Sequence, residues 1–145
     1  MIERLLFVAV RRGARLPSRS HKGDAGLDLY AAELRRIPSG EADLVPTGVA
    51  TAIPYGWAGL IWPRGSQGRI GVDVLAGVVD ASYRGEIEVA LYAGETPVEV
   101  SPGERIGQLL VQPVELPEPE WATELPAWEL SSPGRGAAGW GSTGR

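Results

Sequence analysis

The side chains able to do chemistry fall into five short segments. The last, Arg135 to Arg145, reads Arg-Gly-Ala-Ala-Gly-Trp-Gly-Ser-Thr-Gly-Arg. Glycines in such a run let backbone N–H groups converge on an anion, and the hydroxyls of Ser142 and Thr143 add donors. Arg135 adds a planar, charged fork suited to phosphate. The Gly-Lys-Ser/Thr ending of a Walker loop is missing, and no helix is expected after residue 145 to lend its dipole. On composition alone the run reads as a disordered tail. Trp140, set between glycines beside Arg, Ser and Thr, could instead make it a lid that closes over a phosphate and stacks on a base.

Within residues 77–85, Asp80 follows an apolar pair and precedes a turn. It could be a general base at a strand end, or a turn former whose carboxylate caps backbone amides. Asp28 could hold a hard cation together with substrate phosphates, or simply face solvent from a strand. Arg64 and Gln108 could bind phosphate, or form a surface ion pair and a polar strand face. Other chemistry is excluded. Cysteine is absent and His21 is the one histidine, so neither thiolate catalysis nor a multi-histidine metal site is available. The net charge of -4 disfavours coating nucleic acid, although thirteen of the fourteen basic residues are Arg.

These residues must be positioned by a fold rich in punctuation. Twenty glycines and twelve prolines in 145 residues are about twice average usage, which argues for many short strands rather than a helical bundle. A length of 145 residues fits one domain, and 43% hydrophobic residues can furnish its core. Residues 4–10 read as a strand. So do residues 44–53 and 57–62, with Pro54-Tyr55-Gly56 as the turn between them. Leu27-Asp28-Leu29-Tyr30 alternates, placing Leu27 and Leu29 on one face. Residues 86–92 give the clearest period of two, through Ile87, Val89 and Leu91. Residues 97–101 and 105–114 follow, split by a turn at Ser101–Glu104. No segment has a three-turn amphipathic pattern, so the expected class is all-β, an antiparallel sandwich or jelly roll.

Composition shifts near residue 115. Prolines at 117, 119, 126 and 133 hold the chain extended, so residues 1–115 read as the core and 116–145 as an arm. Trp121 and Trp128 on this arm suggest docking on a neighbouring surface, against the alternative that they cover their own core. No apolar run is long enough to span a membrane, and the N-terminus lacks a signal-peptide pattern, so a cytoplasmic location is expected.

The order and spacing of the five segments resemble the trimeric deoxyuridine triphosphatases (dUTP diphosphatases) from about residue 4 to 144. The segments are Ala25–Ala31, Pro63–Gly68, Gly77–Gly85, Gly103–Leu109 and Arg135–Gly144. The resemblance implies a β jelly roll, a homotrimer with active sites shared between subunits, and hydrolysis of dUTP to dUMP and pyrophosphate with Mg²⁺. Such a reaction limits uracil incorporation into DNA and supplies dUMP. It implies that Asp80 activates the attacking water, that Asp28 holds Mg²⁺ through water, and that Arg64, Gly65, Ser66 and Gln108 meet phosphates. Gly77 and Val79, in a hairpin over Val74–Val79, would present backbone to uracil, with Tyr83 against deoxyribose. Arg135, Gly141, Ser142 and Thr143 would grip the terminal phosphate while Trp140 stacks on the base.

One departure stands out. The family's second segment usually runs Pro-Arg-Ser, whereas here Gly65 follows Arg64 and Ser66 comes one place later. Glycine at 65 would permit angles that serine resists, letting Ser66 swing into the vacant place; the alternative is a backbone N–H doing its work. A deaminase of dCTP on the same fold and a non-catalytic nucleotide-binding trimer are the competing readings.

Overall fold

The computed structural model describes residues 2–126. They form eleven short strands and one helical turn. The first five strands are β1 (Phe7–Ala9), β2 (Leu27–Tyr30), β3 (Arg35–Ile37), β4 (Ala42–Pro46) and β5 (Val49–Thr51). β6 (Trp57–Trp62) leads into the turn α1 (Gly65–Gly68). Then come β7 (Val72–Ala76), β8 (Val78–Val79), β9 (Glu88–Ala93), β10 (Val98–Val100) and β11 (Arg105–Pro113). The strands pair antiparallel throughout, in the orders β2-β11-β6-β8, β4-β9-β7, β1-β5 and β10-β3. Among the described residues no helix is long and apolar enough to cross a membrane.

The period of two in residues 86–92 does what it promised. Ile87, Val89 and Leu91 are buried while Glu88 is exposed. They meet Leu29 of β2, Val45 of β4 and Ile106 and Leu109 of β11 in one cluster. Each such side chain withdrawn from water contributes about 1.5–3 kcal/mol. This shared cluster joins the two larger sheets.

Two expected strands and one expected hairpin change shape. The run 4–10 contracts to β1, because its partner β5 offers only three residues: Phe7 pairs with Thr51, Val8 with Ala50 and Ala9 with Val49. The run 44–53 breaks into β4 and β5 at Thr47-Gly48. There Thr47 Oγ1 donates to the Ile87 carbonyl at 2.6 Å, and Gly48 takes a φ of +74°. A Cβ on Gly48 would lie 2.8 Å from that of Ala14, so only glycine turns the chain there. The hairpin expected over Val74–Val79 is a crossing between sheets: β7 pairs with β9, and β8 with β6. The turn at 54–57 is present, closed by Trp57 N–H on the Pro54 carbonyl at 3.1 Å, but its flanking strands join different partners. After β11, residues 114–126 form neither helix nor strand, and Trp121 is fully exposed rather than covering its own core.

Candidate active site

Strands β2, β11 and β6 bring three of the expected residues to one end of their sheet. The register sets Gln108 opposite Asp28 on one side and Trp62 on the other. Pro63 and Arg64 follow at once where β6 ends. Gln108 Nε2 donates to the Pro63 carbonyl at 2.9 Å, and its second hydrogen stays available for an anion. Gly26 makes room for this, since a Cβ there would collide with the Gln108 side chain.

Asp28 is not the solvent-facing strand residue that alternation alone would allow. It is 8% exposed. Its Oδ1 accepts from Arg64 Nε at 2.9 Å, and its Oδ2 from Ser20 Oγ at 3.0 Å and Arg105 Nη1 at 3.2 Å. Two guanidiniums therefore share one carboxylate, each with further N–H donors to offer. They border a cleft of about 840 Å³ that Gly65, Ser66 and Gln108 also line.

Arg105 was missed in the sequence for a specific reason. Residues 105 and 108 of a regular strand point to opposite faces. β11 carries an irregularity between Arg105 and Gly107, and the extra residue brings Arg105 and Gln108 to the same cleft. Gln67 was missed too. Buried at 8% exposure, it accepts from the Arg64 N–H at 2.8 Å and donates to the Ile106 carbonyl at 2.9 Å, bolting α1 to β11.

Gly65 corrects an expectation. It sits in the helical turn without a positive φ, and a Cβ there would meet nothing within 4 Å. Its conformation does not demand glycine. Ser66 lies exposed on the same turn, its Oγ 3.4 Å from Arg64 Nη1.

Asp80 and Tyr83 line a different cleft, of about 320 Å³, that shares no lining residue with the first. Asp80 is exposed, and among the described residues no hydrogen bond ends on its carboxylate, which removes the amide-capping alternative. The turn itself is closed by the backbone, Tyr83 N–H donating to the Asp80 carbonyl at 3.0 Å. Arg84 Nη1 donates to the carbonyls of Ala81 and Tyr83 at 2.6 and 2.7 Å. The Tyr83 hydroxyl donates to the Glu86 carbonyl at 2.8 Å, over Gly85, where a Cβ would strike the ring.

Gly77 and Val79 lie beside Asp80 in this cleft, but their backbones are partly committed. Ile61 N–H donates to the Gly77 carbonyl at 2.9 Å, and Val79 pairs with Gly59. Hydrogen-bonded pairs alternate along an antiparallel ladder, so Val79 bonds to β6 while Val78 turns its N–H and C=O outward. Among the described residues the outward backbone of Val78 has no strand partner. Arg135, Trp140, Gly141, Ser142 and Thr143, together with Trp128, lie outside the described residues.

The dUTPase family model matches residues 12–144. A deoxyuridine 5'-triphosphate nucleotidohydrolase of Mycolicibacterium gilvum (strain PYR-GCK) is 51% identical over 134 residues, covering 89% of this chain and 87% of the relative. The solved structure of the Staphylococcus bacteriophage 80alpha dUTPase with dUPNHPP gives a TM-score of 0.86 at 27% identity, covering 99% of this chain and 100% of that one. A mutant dUTPase from phage phi11 of S. aureus, solved with a structural Mg(II) ion, gives 0.77 at 25% identity over 84% of this chain and 98% of that one.

Proposed function

The chain belongs to the dUTPase family, and from that premise we infer that it is a dUTP diphosphatase, hydrolysing dUTP to dUMP and pyrophosphate. Water attacks the α-phosphorus in line. Asp80 takes its proton, the bond from that phosphorus to the α–β bridging oxygen breaks, and pyrophosphate leaves. Little covalent help is needed beyond positioning and charge stabilisation. Arg64, Ser66 and Gln108 hold phosphates. Gly77 N–H and the outward backbone of Val78 meet the uracil edge, and Tyr83 packs on the deoxyribose. Residues 116–145 form the arm, whose Arg135, Trp140, Gly141, Ser142 and Thr143 close the site.

One observation carries this reading of the assembly. The residues assigned to the base and those assigned to the phosphates line two clefts of one chain that share no lining residue. A jelly-roll homotrimer, in which the Asp80 cleft of one subunit faces the Arg64 cleft of the next, brings the two halves together. The exposed Trp121 then has a neighbour to dock on. The cytoplasmic nucleotide pool is the setting this activity implies.

Mg²⁺ fits the phosphate cleft as a companion of the substrate rather than as an ion caged by protein. Only Asp24 and Asp28 bring carboxylates to that cleft, and no group of three metal-ligating side chains occurs among the described residues. Among the described residues Asp28 Oδ1 accepts one hydrogen bond, which would leave a lone pair for a water carried by the ion. When bound, the ion neutralises triphosphate charge.

The test has two arms. Purified protein should release pyrophosphate from dUTP and not from dCTP or dTTP; ammonia from dCTP would establish the deaminase instead, and no turnover the non-catalytic trimer. Inactive Asp80→Asn and Arg64→Gln subunits, mixed and reassembled, should recover about a quarter of the parent rate, the statistical share of intact shared sites in a random trimer. No recovery in verified mixed trimers would overturn the shared site.

A further inference from the structure

The turn carrying Asp80 and Tyr83 is exposed at Asp80, Ser82, Tyr83 and Arg84, so apolar packing does little to hold it. At its start, β8 ties Val79 to β6. At its end the anchor is Glu86. Arg11 donates to the Glu86 carboxylate through Nε at 2.9 Å and Nη2 at 2.8 Å, a two-pronged grip. Gly48 N–H adds a third donor at 2.8 Å. Gly48 is itself immobilised, since its carbonyl accepts from Val10 N–H at 2.8 Å and Ala14 crowds the space a Cβ would take. The same Glu86 supplies, through its backbone carbonyl, the acceptor for the Tyr83 hydroxyl. Position 86 thus links the segment after β1 to the aromatic ring in the cleft, across 75 residues of sequence.

We propose that the Arg11–Glu86 pair is a clamp that positions Tyr83, making Glu86 and Arg11 positioning residues for discrimination between dUTP and UTP. The proposal rests on the reading of Tyr83 as the deoxyribose contact. A ring that must exclude one hydroxyl does so only if it cannot retreat, and the clamp denies it that movement. Arg11 keeps 40% and Glu86 19% of side-chain exposure, and a half-solvated pair adds little to global stability. Its effect therefore lies in geometry. The Arg11 hydrogen bond, first, and the Gly48 amide hold the Glu86 carboxyl below its usual range against the opposing effect of burial, so the clamp is ionised under assay conditions.

The test is the ratio of kcat/KM for UTP to that for dUTP. Glu86→Gln keeps the shape and an acceptor for Gly48 while removing the charge; Arg11→Gln removes the other partner. Each should raise the ratio about 3–10-fold, since small misplacement near a reacting centre is costly. The double variant should be no worse than either single one, as expected of partners in one interaction. Tyr83→Phe should act in the same direction, with melting temperatures close to the parent's throughout. A ratio within twofold of the parent in both clamp variants, with Tyr83→Phe altering it, overturns the clamp alone. Unchanged ratios in Tyr83→Phe and Tyr83→Ala overturn the deoxyribose reading, and the clamp's role with it.

Discussion

The two clefts of one chain are built on opposite plans. In the cleft of Arg64 the central charges are paired: Asp28 is buried, two arginines and Ser20 converge on it, and Gln67 bolts the supporting turn to β11. In the other cleft, among the described residues, no hydrogen bond reaches the acid's carboxylate. Asp80 is exposed, and its turn is anchored to the rest of the fold at its two ends, through Val79 and Glu86. The first plan suits a site that must receive a highly charged ligand without rearranging. The second leaves a carboxylate whose oxygens are open to a water molecule.

The two clefts differ most at their acids. Asp80→Asn keeps shape but cannot accept a proton. It should lower kcat by roughly 10²-fold or more, while calorimetry with dUPNHPP should show near-parent affinity. Turnover close to the parent's would remove Asp80 from the mechanism.

Next comes the hydroxyl at the edge of the fixed cleft. If Ser66 meets the triphosphate, Ser66→Ala should cost about 1.5–3 kcal/mol of transition-state stabilisation, read from kcat/KM. A change within twofold would leave a backbone N–H in that role. Gly65→Ser tests the same place from the other side. With no positive φ and open space for a Cβ, it should fold normally, and melting curves should coincide with the parent's.

Asp28→Asn should behave unlike Asp80→Asn. It leaves Arg64 and Arg105 facing each other without the charge between them, so it should lower thermal stability by about 1–2 kcal/mol, discounted because Arg105 is half-exposed. KM should rise more than kcat falls. The opposite split would mean that Asp28 acts in the chemical step and that the two acids are not so different.

The smallest expected effect is on acid stability. The folded state holds the Glu86 carboxyl below its usual value, so it binds fewer protons there than the unfolded chain does. The resulting stability is present above the ordinary carboxylate range and is lost as pH falls through the depressed value. Urea melts should show the parent's small advantage over Glu86→Gln at neutral pH vanishing in acid. A pH-independent difference would mean that the carboxylate's charge is not what holds the turn.

Much of this was legible in the sequence by itself. The alternation of Ile87, Val89 and Leu91 declared a buried strand, the glycines and prolines declared an all-β chain, and the five segments with their order declared the family. Each of these signals is local: side-chain period, turn chemistry and residue type act within a few positions. What the tertiary structure alone decided is long-range. Arg64 reaches Asp28 across 36 residues, and Arg105 reaches it across 77. The irregularity in β11 reversed the face of Arg105, and the separate partners of β7 and β8 turned an expected hairpin into a crossing in which Val78 rather than Val79 turns its backbone away from β6. Register and strand partnership depend on which edges meet when the core closes, and no local period encodes that choice.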